Sequence, residues 1–511
     1  MKHIEIMDTT LRDGEQTSGV SFVPQEKLMI ARALIQDLNV DRIEVASARV
    51  SEGEKEAVSR ICRWAEQAGY LDRIEVLGFV DDGTSLNWIK DCGARTINLL
   101  CKGSENHCRN QLKKTPEEHF EDIKRNIRMA HDMGISVNVY LEDWSNGVKN
   151  SPSYVNKMIE SLKDCGIKRF MLPDTLGILQ PLELLMIMRK TTRRYPDLHF
   201  DFHAHNDYDL AISNVLAAVL GGCDGIHTAV NGLGERAGNA PLASVQAILK
   251  DMFNAGTNIV ENQLNNVSRL VENYSGIPIP PNRPITGDSV FTQVAGVHAD
   301  GDGKAKLYYN DLLPERFGRK REYALGKTSG KANILRNLEE LGLELTPEQT
   351  RLVTARIIEL GDKKEVVTQE DLPYIVGDVL NNAVEEENVV LISYMVANAY
   401  GLDPHASIKL KINGEIYEGS ASGSGQFDAF MRALKKIYRD KLDRRFPHLS
   451  NYSVSIPPGG RTDALVQTII TWLWEEKTYR TRGLDADQTE AAIKATIKML
   501  NIMESNKKEK N

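Results

Sequence analysis

Short runs rich in β-branched residues alternate with longer amphipathic stretches over the first half of the chain. The runs stand at His3–Asp8, Arg42–Ala46, Arg73–Val80, Arg95–Leu100, Ser136–Leu141, Lys168–Leu172, Leu198–His203 and Gly225–Val230. Between them, segments such as Glu26–Leu38, Glu54–Ala68, Glu117–Met133, Tyr154–Cys165 and Leu182–Tyr195 place apolar residues at helical spacing. Eight strand–helix units in about 250 residues predict an α/β fold, a (β/α)8 TIM barrel. A doubly wound open sheet is the alternative. The count of eight matches closure better, and no glycine-rich phosphate turn follows the first run.

The pattern changes near Glu261. A proline-rich connector, Ile277-Pro-Ile-Pro-Pro-Asn-Arg-Pro284, cannot continue a helix, and loops with short helices are expected beyond it. The acidic, polar stretch Asn382–Asn388 reads as a linker or exposed turn. Strand patterns follow at Val389–Ala397, Ala406–Ile412 and Gly414–Glu418. A helix is expected at Phe427–Arg439, more strands from Tyr452 to Trp474, and a last helix at Asp487–Leu500. The boundaries drawn are 1–260 for the barrel, 261–385 for a mainly helical linker region, and 386–511 for a C-terminal α+β domain.

Composition narrows the classes. A chain of 511 residues is too long for one ordinary domain. A net charge of −8, with no basic stripe to offset it, argues against a nucleic-acid partner. No apolar run approaches the roughly 20 residues needed to span a bilayer, so no membrane partner is expected. The first residues lack a signal peptide's apolar region and cleavage site. The six cysteines (Cys62, Cys92, Cys101, Cys108, Cys165, Cys223) contain no CxxC pair. Buried free thiols in a reducing cytoplasm are the expectation.

The strand ends carry the chemistry. Polar groups close almost every run: Arg12 and Asp13, Glu44, Asp81, Lys102, Glu142, Asp174 and Thr175, His203 and His205, Asn231. Barrel active sites form at those C-terminal ends. In Asp201-Phe-His-Ala-His-Asn-Asp207, His203 and His205 are two apart and present their imidazoles on one side of a strand. They read as metal ligands or as two unrelated histidines. Asp13 offers a carboxylate as third ligand, and Arg12 a cation for a developing alkoxide or a substrate carboxylate. A local ion pair is the plainer reading of Arg12 and Asp13. Asn239, at the end of a glycine-rich stretch, can add an amide oxygen to a metal shell.

These stretches resemble the acyl-CoA-condensing branch of the DRE-TIM metallolyases, which includes 2-isopropylmalate, homocitrate and citramalate synthases. The resemblance is carried by Leu11-Arg-Asp-Gly-Glu-Gln16, His203-Ala-His-Asn206 and Asn231-Gly-Leu-Gly-Glu-Arg-Ala-Gly-Asn239. It extends to Gln293-Val-Ala-Gly-Val-His298 and Ile456-Pro-Pro-Gly-Gly-Arg-Thr-Asp-Ala464, so it covers nearly the whole chain. It implies Asp13, His203, His205 and Asn239 around a divalent metal (Zn²⁺ or Mn²⁺, with Mg²⁺ admissible) and Arg12 polarising the acceptor's carbonyl. Glu142 is implied to share proton transfer with His298, which in this family reaches the barrel from the partner subunit. Tyr308 would line the acetyl-CoA side, and Thr175 would lie near the acceptor's carboxylate. The linker would contribute to the active site, and the last domain would be a regulatory dimerisation domain, giving a homodimer.

The acceptor is narrowed further. The isopropylmalate and homocitrate synthases usually carry a small residue where Tyr140 stands. Tyr140 with Leu77 and Leu100 would leave room only for a methyl group, which means pyruvate. Val45-Ala-Ser-Ala-Arg-Val-Ser51, Leu100-Cys-Lys-Gly-Ser104 and Gly425-Gln-Phe-Asp-Ala429 resemble the pyruvate-specific, feedback-regulated members. The activity implied is condensation of acetyl-CoA with pyruvate to (R)-citramalate, on the way to isoleucine, with isoleucine as effector. Against this stand a 2-isopropylmalate synthase using 2-oxoisovalerate, a lyase or aldolase on the same barrel, and a non-catalytic amino-acid sensor.

Overall fold

The computed structural model describes residues 2–303, 307–326, 329–362, 367, 369, 372, 375–376, 388–455, 466–475, 477–485 and 487–508. Eight strands, β1 (Glu5–Asp8), β2 (Arg42–Ser47), β3 (Ile74–Phe79), β4 (Thr96–Lys102), β5 (Ser136–Glu142), β6 (Arg169–Asp174), β7 (Phe200–Ala204) and β8 (Gly225–Thr228), pair in parallel in chain order, and β1 closes on β8. The TIM barrel is present, with strand bounds within a few residues of those expected.

Each strand alternates between two buried environments. In β2, Ile43 and Val45 pack outward into the apolar layer under the helices, while Arg42 and Glu44 turn into the barrel. The helices are set by local signals. The Ser51 hydroxyl accepts from the Glu54 N–H at 3.1 Å and opens the helix Glu52–Ala68, and Thr115 with Glu118 forms a capping box for Pro116–Asp132.

Inside the barrel the strands present their side chains in ascending rows. From floor to mouth, β4 offers Asn98, Leu100 and Lys102; β5 offers Asn138, Tyr140 and Glu142, in matching register. On β7 and just beyond it the row is Asp201, His203 and His205. The floor is a buried ion cluster. Arg42 Nη2 donates to Asp201 Oδ2 at 2.6 Å and Nη1 reaches Glu75 at 3.2 Å, while His199 Nε2 meets Asp201 Oδ1 at 2.8 Å. Burial opposes the Asp201 charge, but Arg42 and the two histidines outweigh it and hold the carboxyl well below its ordinary range. A cleft of about 440 Å³ lined by Glu5, Arg42, Glu75 and Arg169 opens at this N-terminal mouth, away from the strand ends named above.

The chain divides into two compact units, Met1–Gln293 with Gly301–Glu322, and Val294–Asp300 with Tyr323–Asn511. In the second, helices Lys331–Glu340 and Pro347–Asp362 bury Ile334, Leu338, Val353 and Ile357 together with Leu325. Two three-stranded antiparallel sheets follow: Val389–Ala397, His405–Ile412 and Glu415–Ser422, then His448–Ser455, Val466–Trp474 and Lys477–Asp485. Helices Gln426–Lys436 and Gln488–Lys508 share a core with them through Phe430, Leu434, Trp472 and Met499. The strand Lys477–Asp485 was not expected from sequence. Its Lys and Arg residues dilute the alternation, and the buried Thr481 hydroxyl, which accepts from Trp472 Nε1 at 2.8 Å, is a weak apolar signal. The stretch Ile456–Ala464 and nearly all of Asn382–Asn388 lie outside the described residues. All six cysteines are free, five of them buried.

Candidate active site

The loop after β1 is wound on one carbonyl. Thr9 O accepts from the N–H groups of Arg12, Asp13 and Gly14 at 3.1, 2.8 and 3.1 Å, which turns Arg12 and Asp13 over the barrel mouth. Lys27, fully buried, ties the loop from beneath, with Nζ 3.1 Å from Leu11 O, 2.6 Å from Glu15 and 2.7 Å from Glu54.

Above β7, His203 and His205 point their Nε2 atoms at each other, 3.3 Å apart, and Asp13 Oδ2 lies 3.7 Å from His203 Nε2. The ligand atoms of the three residues all fall within 4.8 Å of one another. Burial, first, disfavours the imidazolium forms and pushes both histidines below their ordinary range, which leaves each ring a lone pair. Burial opposes the Asp13 charge too, but Arg12 and the two histidines outweigh it and keep the carboxylate ionised.

The glycine-rich stretch after β8 completes the cradle. Asn239 pairs across to His205 in an isolated bridge, and its Nδ2 donates to Asp13 Oδ1 at 2.8 Å and to Leu233 O at 2.9 Å. Its Oδ1 is buried with no hydrogen-bond partner among the described residues, and the Nδ1 atoms of His203 and His205 are likewise buried and unpaired. A Cβ on Gly234 would stand 2.3 Å from Asn239 Nδ2 and 3.0 Å from Asp13 Oδ1, at φ +155°, so only glycine fits there. One carboxylate and two neutral imidazoles at one point, with an orphaned amide oxygen on the residue bonded to that carboxylate, form the donor set of a divalent cation with open positions.

Arg12 joins this centre to the rest of the barrel. Its Nη1 donates to Asp13 Oδ2 at 2.5 Å and its Nε to the fully buried Glu44. Glu44 Oε1 accepts from Asn98 Nδ2 at 2.7 Å, and Asn98 Oδ1 from Asn138 Nδ2 at 2.8 Å, a polar ladder across β2, β4 and β5. Beneath the histidines, Tyr140 packs with Met7, Leu77, Leu100 and Met171 in an apolar patch inside the barrel. The Tyr140 ring meets His203 edge-on with centroids 5.8 Å apart, and the Arg12 guanidinium sits 5.7 Å from its centroid.

The other expected residues fall as follows. Glu142 is paired with Lys102 at the rim. The Thr175 hydroxyl accepts from the Asp143 N–H at 3.0 Å, on the same rim. Tyr308 packs on Gly301 and is 42% exposed, and His298 lies on the helix Gly296–Gly303, in the second unit. Two strand-end groups are held in local bonds. Asp81 takes the Ser85 N–H and pairs with Arg49, and Asn231 Nδ2 donates to Ser268 O. The sequence reading passed over Asn98, Asn138, Asp201 and His227. The spacing of two that singled out His203 and His205 reaches Asp201, Asn98 and Asn138 when it is run down their strands. It also passed over Arg236, which clamps Asp207 with 2.7 and 3.0 Å bonds and reaches Thr175 O at 2.7 Å.

The chain matches three family models: HMGL-like over residues 3–271, the homocitrate synthase post-HMGL domain over 285–365, and the LeuA allosteric (dimerisation) domain over 366–504. It is 34% identical over 503 residues to the (R)-citramalate synthase of Methanocaldococcus jannaschii, covering 98% of this chain and 99% of that one. It is also 34% identical over 506 residues to the 2-isopropylmalate synthase of the same organism, covering 98% and 94%. A crystal structure of HMG-CoA lyase from Bacillus subtilis aligns at a TM-score of 0.46 and 20% identity, over 55% of this chain and 96% of that one. No helix among the described residues is long and apolar enough to cross a membrane.

Proposed function

Because the chain belongs to the HMGL-like family, as a metal-dependent acyl-CoA-condensing synthase, we propose that it joins acetyl-CoA to pyruvate, with water, to give (R)-citramalate and CoA. Equal identity to a citramalate and an isopropylmalate synthase does not choose the acceptor. The observation that carries the choice is the patch of Tyr140, Leu77 and Leu100 beneath His203. A phenol ring there takes the volume a branched acceptor would need, and a methyl group is what remains. Each methylene in such a pocket is worth about 1–3 kcal/mol of discrimination.

Asp13, His203, His205 and Asn239 are the residues we assign to the cation, Zn²⁺ or Mn²⁺ with Mg²⁺ admissible. When bound it supplies Lewis acidity to the acceptor's keto group. Glu142 and His298 are assigned the proton of the acetyl-CoA methyl group, with Tyr308 on the thioester side. The enolate carbon then bonds to the keto carbon. Arg12, held by Glu44 and Asp13, offers its guanidinium to the alkoxide. Thr175 is assigned to the acceptor's carboxylate. Water finally cleaves the thioester and CoA leaves. The C-terminal domain, of a type described as allosteric and dimerising, supports a homodimer with an amino-acid effector, for which we assign isoleucine.

Free-CoA release with acetyl-CoA, Mn²⁺ or Zn²⁺ and a panel of 2-oxo acids is the test. Selective turnover of pyruvate is expected. Preference for 2-oxoisovalerate would keep the mechanism, overturn the acceptor and make the enzyme a 2-isopropylmalate synthase.

A further inference from the structure

We propose that His227, on β8, is a positioning residue for acceptor selection, acting by fixing the ring of Tyr140 through a buried chain that runs up from the barrel floor. The proposal rests on Tyr140 lining the acceptor pocket.

The chain has three members. Asp201 Oδ2 lies 3.1 Å from His227 Nε2, and His227 Nδ1 lies 3.4 Å from the Tyr140 hydroxyl. All three residues are buried, with Asp201 at 0%, His227 at 1% and Tyr140 at 4% exposure. Proton positions follow from the two ends. Asp201, ionised between Arg42 and two histidines, only accepts, so Nε2 of His227 carries the hydrogen facing it. Nδ1 is then left as the acceptor, and the Tyr140 hydroxyl, 3.4 Å away, donates to it. The hydroxyl hydrogen of Tyr140 thus points down to β8, away from the cation cradle.

That direction matters for the pocket. A tyrosine ring has two torsions to fix, and the apolar neighbours Met7, Leu77, Leu100 and Met171 supply shape but no direction. His227 supplies it from β8, while Arg12 meets the same phenol from the cradle side, and the His227 ring stands edge-on to His203 with centroids 5.5 Å apart. A ring held this way keeps the pocket at one volume. Released, it can tilt toward the floor and admit a longer acceptor.

The test is a double-mutant cycle read on acceptor choice, the ratio of kcat/KM for pyruvate to that for 2-oxobutanoate, one methylene longer. The variants are His227→Leu, Tyr140→Phe, the two combined, and His227→Asn, whose amide oxygen can stand where Nδ1 does. Loss of one buried hydrogen bond is worth about fivefold. We expect that drop in either single variant, no further drop in the double, and a ratio within about twofold of wild type for His227→Asn. The KM for acetyl-CoA stays put throughout. Additive losses, an Asn variant as poor as Leu, or a parallel rise in the acetyl-CoA KM would overturn the proposal. Should the wild type prefer 2-oxoisovalerate, the pyruvate reading fails. The cycle run on that acceptor against pyruvate then judges the coupling of His227 to Tyr140 separately.

Discussion

Replacing Glu44 by Gln keeps the shape of a fully buried side chain and removes its charge. The carboxylate accepts from Arg12 Nε and, at 2.7 Å, from Asn98 Nδ2. A Gln amide has one oxygen and one NH₂, so with the oxygen on Arg12 its NH₂ would face the NH₂ of Asn98. The ladder has a way out. Asn98 Oδ1 accepts from Asn138 Nδ2 at 2.8 Å, and Asn138 Oδ1 has no partner among the described residues. Turning both asparagine amides over reverses the ladder and restores its rungs, losing only the long Asn98 Nδ2 contact to Met7 Sδ and leaving the Asn138 NH₂ unpaired in place of its oxygen. The remaining loss is the charge on the Arg12 contact, about 1.5–3 kcal/mol. Glu44→Leu has no such escape. It leaves Arg12 Nε and the Asn98 amide without partners, with Asp13 alone still on the guanidinium, at about 3–5 kcal/mol. Equilibrium urea unfolding of both variants reads the difference, and kcat/KM should fall in the same order because Arg12 loses its anchor. Equal losses for Gln and Leu would refute the reversible ladder.

Three further outcomes are expected. Tyr140→Val should raise kcat/KM for 2-oxoisovalerate relative to pyruvate by at least about tenfold, read in the CoA-release assay, since two methyl groups gain the vacated space. Gly234→Ala should weaken Mn²⁺ or Zn²⁺ binding by about 10–100-fold in calorimetric titration, because its Cβ displaces the Asn239 amide from Asp13. Stability should respond to acid in two opposed ways. Burial holds His119, whose Nε2 accepts the Lys102 N–H, down to about 4, so its contribution is present above 6.5 and lost as pH falls through 4. Burial pushes Asp8 up to about 6, so its contribution is full below 3.8 and lost as pH rises through 6. Unfolding measured from pH 4 to 7 should lose its acid-side decline in His119→Gln and its opposite slope in Asp8→Asn.

The barrel was legible because its strands are short, β-branched and evenly spaced. The Asp13, His203 and His205 cluster was legible because period-two spacing puts both imidazoles on one side of β7, and the Asn239 stretch because its glycines tolerate a backbone that few residues can adopt. What sequence reading passed over lies deeper. Asn98, Asn138, Asp201 and His227 are polar residues inside strands, where polarity is read as a break in the pattern. In this barrel it marks the inward row, since both faces of each strand are buried. Asp81 and Asn231 show why strand ends are ambiguous, because a polar residue after a strand also caps a helix or ties a loop, and spacing alone does not separate those duties from chemistry. The strand Lys477–Asp485 was hidden by the charged side chains along it.

The ascending rows inside the barrel have a consequence for descent. On β4 and β5, the storey holding Leu100 and Tyr140 lies between the Asn98–Asn138 rungs and the Lys102–Glu142 rim. Side chains on that storey can be exchanged after gene duplication while Asp13, His205 and Asn239 above and Arg42 below are left untouched. On the proposed reading, divergence in diet, so to speak, meets the machinery of the carbon–carbon bond only through Tyr140, which touches Arg12, His203 and His227. If that storey selects the acceptor as proposed, a lineage can try a new one by substitutions at Leu100 while the residues above and below keep their places.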